Sequence, residues 1–335
     1  MRRFVRAAGC GATLCALVAP GTAHAQSRTH VVLVAGLGGS EEFRESFHAE
    51  AASIYTALVE QHHIPSDDVT YLGERVETAP EMISDRSTRA NILKELGEIS
   101  QRVAPDDRVL VILIGHGTEQ GGEARFNLPG PDLVPGDFAL GLAAFPTQTL
   151  ALVHTGSASG GFVAPLSGPN RIVIAATRTG RERNATEFGQ FFAEALADAE
   201  ADLDHDESVS LLEAFMYARQ EVERYYEEQN ELLTEHAVLD DDGDGQGSAD
   251  AGLDGPDGLL AATFTLGGRS TAANATDDPV LARLYRERAE IEARIDELRV
   301  VRGALTEDEY LERVEPLLIE LGLKNREIRE HGGGA

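Results

Sequence analysis

Arg108-Val109-Leu110-Val111-Ile112-Leu113-Ile114-Gly115-His116-Gly117 is the stretch whose reading decides the fold. Its apolar run has no alternation, so no side is left to face water, and it reads as a strand buried on both faces, as parallel strands are. His30-Val31-Val32-Leu33-Val34-Ala35 before Gly36 has the same form. Working outward, 69–72 is a weaker strand, and 149–153 and 171–176 add two more. Helical periodicity occupies 41–61, 88–103 and 185–197, with Asn184 and Glu187 placed to cap the last of these. Strands alternating with helices predict an α/β fold: a mainly parallel sheet with helices on both faces, in which working residues gather at strand ends.

The chain has 335 residues and a formal net charge of −28. Its first 25 residues read as a signal peptide: Arg2, Arg3 and Arg6, an apolar stretch from Ala7 to Val18, then Ala23-His24-Ala25 as an A-x-A cleavage signal. That predicts a periplasmic or secreted protein, and no segment reaches the ~20 apolar residues of a membrane span. Removing that segment takes away three arginines and no acid, and also Cys10 and Cys15, the only cysteines. A field this negative repels nucleic acid and anionic lipid as partners and attracts cations, calcium among them. Gly36-Leu37-Gly38-Gly39 lacks the last glycine of a dinucleotide fingerprint, since Glu41 stands there, and reads as a tight turn.

Gly115-His116-Gly117 follows one strand and Gly156-Ser157-Ala158-Ser159-Gly160-Gly161 follows the next. In this the chain resembles the caspase-like clan, particularly bacterial relatives of the legumain peptidases, over roughly residues 29–200. Those enzymes place a His-Gly pair after one strand and a small-Cys-x-Ser-Gly element after the next. The resemblance assigns His116 to the histidine that activates the thiol, Gly117 to the oxyanion glycine, Ser157 to the nucleophile and Ser159-Gly160 to the Ser-Gly that follows. Serine stands where the family needs cysteine, and Thr155 where relatives often carry an acid. A hydroxyl must lose its proton to a well-oriented base during attack, whereas a thiolate is formed beforehand. Ser159 is a second, less favoured nucleophile. In the resembled peptidases segments placed like 126–132 and 177–183 line the groove, so Arg178 and Arg181 are candidates to bind an acidic ligand. Ion pairing within an acid-rich protein is the blander role for them.

Residues 202–213 align with a calcium loop of the EF-hand type: Asp202, Asp204, Asp206, Ser208, Ser210 and Glu213 offer alternating oxygens, which suit a cation taking six to eight hard ligands. Glu207 stands where glycine would allow the turn. A second loop, 240–251, carries Asp240, Asp242 and Asp244 with Gly245, but ends in Ala251 instead of glutamate. The expected cofactor is therefore structural calcium or none, with helix capping by Ser208 or Ser210 as the alternative for the first loop.

The α/β domain is expected over 26–267 and a small, polar linker over 268–278. A helical hairpin follows over 279–331: Leu281, Leu284, Arg288, Ile291, Ile295 and Leu298 fall on heptad steps. Gly303 ends that helix and Thr306 with Glu309 forms a capping box for the next. Its apolar edge is Leu311, Val314, Leu318, Leu321 and Ile328. The hairpin packs on its own domain or supports self-association through these coiled-coil-like helices. Three functions are open at this point: a pseudopeptidase that binds a peptide or protein, an active hydrolase using Ser157 with His116, and an assembly protein acting through its C-terminal helices.

Overall fold

The computed structural model describes residues 27–203, 208–266, 278–300 and 306–332. The expected signal peptide, Asp204, Asp206, Gly303 and all of the linker but Asp278 lie outside the described residues.

The parallel strands are β1 (Thr29–Ala35), β2 (Val69–Gly73), β3 (Ile83–Arg86), β4 (Arg108–Ile114), β7 (Thr149–His154) and β8 (Arg171–Ala175), with β5 (Gly117–Gln120) and β6 (Glu123–Phe126) forming a separate antiparallel hairpin between β4 and β7. A last strand, β9 (Val238–Asp240), runs antiparallel to β8, and the seven-stranded order is β3-β2-β1-β4-β7-β8-β9. The chain builds outward from β1 to β3, then returns to add β4 and the rest on the other side. The order thus reverses between β1 and β4, the place where open α/β sheets leave a crevice.

Side chains alternate across the sheet, so one run of apolar residues feeds two cores. Val31, Leu33, Leu110, Ile112 and Val153 face α1 (Glu41–Thr56), α5 (Phe188–Ala197) and α6 (Leu211–Gln229). Val32, Val34, Val111, Leu113 and Leu152 face α2 (Arg89–Ser100), α3 (Pro135–Leu142) and α4 (Val163–Leu166). Helices on both faces are therefore what unbroken Val-Leu-Ile strands require. A small helix, α7 (Leu259–Thr263), follows β9.

The edges are where the fold departs from expectation. β3 buries only Ile83, and β9 spans three residues, too short for any periodicity to register. α5 begins at Phe188 and is not capped by Asn184. Instead the Glu235 carboxylate, far off in sequence, accepts the N–H groups of Glu187 at 2.8 Å and Phe188 at 3.2 Å.

The C-terminal pair is α8 (Pro279–Val300) and α9 (Glu307–Gly332), packed against each other, with α8 also touching α7. Asp278 accepts the Val280 N–H at 2.7 Å, and the Thr306 hydroxyl accepts the Glu309 N–H. The heptad steps of α8 hold: Leu284, Arg288, Ile291 and Ile295 are buried. On α9 the expected edge holds in part: Val314 and Ile328 are buried and Leu321 packs on the same cluster, but Leu317 joins them while Leu311 and Leu318 are about half exposed. Leucines on both sides of α9 left its face ambiguous in sequence. No helix among the described residues is long and apolar enough to cross a membrane.

Candidate functional site

The two motifs meet. β4 delivers Gly115-His116-Gly117 beside Gly156-Ser157, which β7 delivers from the neighbouring position in the sheet. The approach is backbone to backbone: a Cβ on Gly156 would lie 1.6 Å from the Gly115 carbonyl oxygen, and one on Gly117 would lie 2.1 Å from that of Ser157. Only glycine permits either contact.

Ser157 is bound to this junction. Its hydroxyl accepts the Gly117 N–H at 3.2 Å and donates to the Gly117 carbonyl at 3.1 Å. The Asn127 N–H donates to the His116 carbonyl, which makes His116 with Asn127 a hydrogen-bonded pair of the β5–β6 ladder and the next pair, Gly117 with Phe126, a non-bonded one. Both backbone groups of Gly117 therefore turn away from β6, and the Ser157 hydroxyl takes the place of a missing strand. Ser157 is 3% exposed.

The imidazole of His116 packs against α1. It stands edge-on to Phe43 and Phe47 of α1, with ring centroids 4.4 and 4.9 Å away, and has no hydrogen-bond partner among the described residues. Burial against these rings lowers its pKa, so it is neutral at pH 7. A neutral imidazole has the right protonation for a base, but no third group orients it.

The remaining residues of the turn are tied into the fold by hydrogen bonds and burial. Ser159 is fully buried, and its Oγ accepts the Thr177 N–H at 3.0 Å, which ties the turn to the loop after β8. The Thr155 hydroxyl donates to the Leu113 carbonyl. Ala158 adopts φ 56°, ψ 11°, a left-handed conformation that costs an alanine about 1 kcal/mol, and its N–H is held by the Glu182 carbonyl at 2.8 Å. His154, beneath the turn, accepts the Gly156 N–H through Nδ1 and packs against Phe126 and Phe162. Burial pushes its pKa down to about 3, and Nε2 has no hydrogen-bond partner.

Arg178 lies at this site by backbone contact, since a Cβ on Gly160 would be 2.3 Å from the Arg178 carbonyl carbon. Arg178 and Arg181 are exposed, and neither forms an ion pair among the described residues, so the ion-pairing role has no partner among those residues. Arg178 also borders a cavity of about 240 Å³ with Arg219, Leu233, Glu235, His236 and Asp250. His236 and Glu182 are joined by a 3.0 Å bond from the His236 N–H, so this cavity sits one residue layer from Ala158. Acids gather behind it: burial pushes the Glu235 pKa up to about 7, with Glu187 adding repulsion against the two amides it accepts. Burial likewise raises Glu50 to about 7, opposed by the Ser46 hydroxyl.

The aspartate loops have separate fates. In the first, both oxygens of Glu213 are engaged by the chain: Oε2 accepts the Ser210 N–H at 2.8 Å and its hydroxyl at 2.7 Å, and Oε1 accepts the Leu203 N–H at 3.0 Å. Ser210 is the N-cap of α6 in a capping box, while Asp202 and Ser208 are half-buried nearby. In the second, Asp240, Asp242 and Asp244 bring one carboxylate oxygen each within 4.8 Å of the others.

No family model and no curated protein matches this chain. The site therefore stands on its own geometry. Sequence reasoning missed Phe43, Phe47 and Glu235, and placed Glu182 only within a groove-lining segment. Only an aromatic pair four residues apart, facing one way on α1, could have signalled the first two.

Proposed function

We propose that this protein is an exported pseudopeptidase of the caspase and legumain type, which keeps a peptide- or protein-binding groove at the strand ends without performing acyl transfer. One observation carries the reading: the N–H of Gly117, the donor that would hold an oxyanion, is held by the hydroxyl that would have to attack. Attack needs that hydroxyl to leave Gly117 and pass its proton to His116 while the same N–H serves the developing oxyanion. The His116 ring, packed edge-on against two phenylalanines, has no orienting hydrogen-bond partner for that transfer among the described residues. The lack of cysteine from residue 16 onward removes the alternative of a thiolate.

The signal-peptide pattern supports export to the periplasm or beyond. Unpaired Arg178 and Arg181, in a chain of net charge −28, support an acidic segment as the ligand.

The test combines labelling with binding. A fluorophosphonate probe is expected to leave Ser157 unmodified, and a fluorescent acidic peptide is expected to bind and to weaken roughly tenfold in an Arg178→Ala/Arg181→Ala double variant. Labelling that disappears in Ser157→Ala and in His116→Ala would establish the serine hydrolase instead.

A further inference from the structure

We propose that Asp240, Asp242 and Asp244 hold one calcium ion that braces the antiparallel edge of the sheet. Two oxygens bound to the same calcium at 2.3–2.6 Å lie no more than about 5 Å apart. The carboxylates of these residues meet that condition at 4.8 Å, and among the described residues they are the one such group. Asp242 and Asp244 are exposed and accept bonds from their own loop, Asp242 Oδ1 from the Asp244 N–H at 2.9 Å and Asp244 from the Gln246 N–H at 2.6 Å and its side-chain amide at 3.1 Å, which by itself would make the cluster an ordinary acidic turn.

Asp240 makes it more. It is fully buried, and its Oδ1 accepts the Ser167 hydroxyl at 2.8 Å; the Gly245 N–H also approaches this carboxylate, but Oδ2 has no hydrogen-bond partner among the described residues. A buried carboxylate oxygen left unpaired is costly, and a cation beside two more carboxylates satisfies it. The donors are all hard oxygen, which suits calcium and not zinc or copper.

The intervening residue explains the run of acids. Asp241 points the other way and accepts the N–H groups of Gly258 and Ala261, both at 2.8 Å, at the start of α7. Gly243 (φ 84°) and Gly245 (φ 77°) let the loop fold back, and their α-carbons rest against Gly168 and Ala164. The remaining ligand positions fall to backbone carbonyls and water.

Register fixes what the ion does. Asp240 pairs with Val173 and Val238 with Ala175, so the acidic loop lies at the start of β8, at the opposite end of the sheet from Ser157. The ion takes no part in chemistry there. It ties β9 to the 163–168 segment, and β9 in turn carries Glu235 and His236 to the other end, beside Glu182 and the Ser157 turn.

The experiment is thermal melting of the full chain in chelator and in calcium chloride, with isothermal titration of calcium chloride. At a hundredfold excess over the dissociation constant the midpoint is expected to rise about 5–10 °C. Asp242→Asn/Asp244→Asn, which alters only exposed side chains, is expected to melt like the chelated parent and to lose the calcium response and the titration heat. Asp202→Asn in the other loop is expected to keep both. An unresponsive parent, a response that survives the double variant, loss of the response in Asp202→Asn, or an equal response to magnesium chloride would each overturn the proposal. None of these outcomes depends on whether the groove binds peptide.

Discussion

Replacing Ser157 by alanine separates a structural hydroxyl from a poised nucleophile. The side chain makes hydrogen bonds of 3.2 and 3.1 Å to the N–H and carbonyl of buried Gly117, neither of which has a ladder partner on β6. Alanine leaves both groups unsatisfied, and each costs about 1–3 kcal/mol. The two share one oxygen and are not independent, so the expected loss is about 2–4 kcal/mol. With a urea dependence near 3 kcal/mol per molar for a domain of this size, the midpoint should fall by about 1 M. Ser157→Cys, whose sulfur bonds weakly, should fall between parent and alanine. A Ser157→Ala protein as stable as the parent, or more so, would refute the reasoning, because a hydroxyl held for catalysis contributes little to the fold.

Two further outcomes are expected. Glu50 has a folded-state pKa of about 7 against the usual value near 4.5, so both states hold the proton at low pH, and stability is lost as the unfolded chain ionises while the native carboxyl does not. Stability should thus decline between about pH 4.5 and 7. Since the side chain is only partly buried, Glu50→Gln should gain on the order of 1 kcal/mol at pH 8 and nothing at pH 4, and an equal gain at both would exclude the titration. Gly156→Ala puts a methyl 1.6 Å from a carbonyl that no rotamer change can move, so it should cost about 3 kcal/mol or more in the same urea assay. Tolerance of that substitution would mean the His116 and Ser157 loops are not in contact.

The sequence alone determined the sheet's interior and the place of the site. β1, β4, β7 and β8 are legible because a strand buried on both faces must be apolar throughout, and Gly-His-Gly and Gly-Ser mark the ends where such strands turn. It determined the α8 seam for the same reason: Leu284, Ile291 and Ile295 recur at the period of a packed helix. On α9 it placed Val314, Leu321 and Ile328 but not Leu317, because leucines on two faces satisfy the same period.

Tertiary structure decided what the site residues do. That Ser157 bonds to Gly117, that His116 packs against Phe43 and Phe47, and that Glu235 caps α5 depend on contacts between residues far apart in the chain, which no local pattern encodes. A Gly-His-Gly and a Gly-Ser motif at neighbouring strand ends are compatible with catalysis or with a locked turn. The choice rests on where one hydroxyl points, and that is set by the non-bonded register of Gly117 against Phe126.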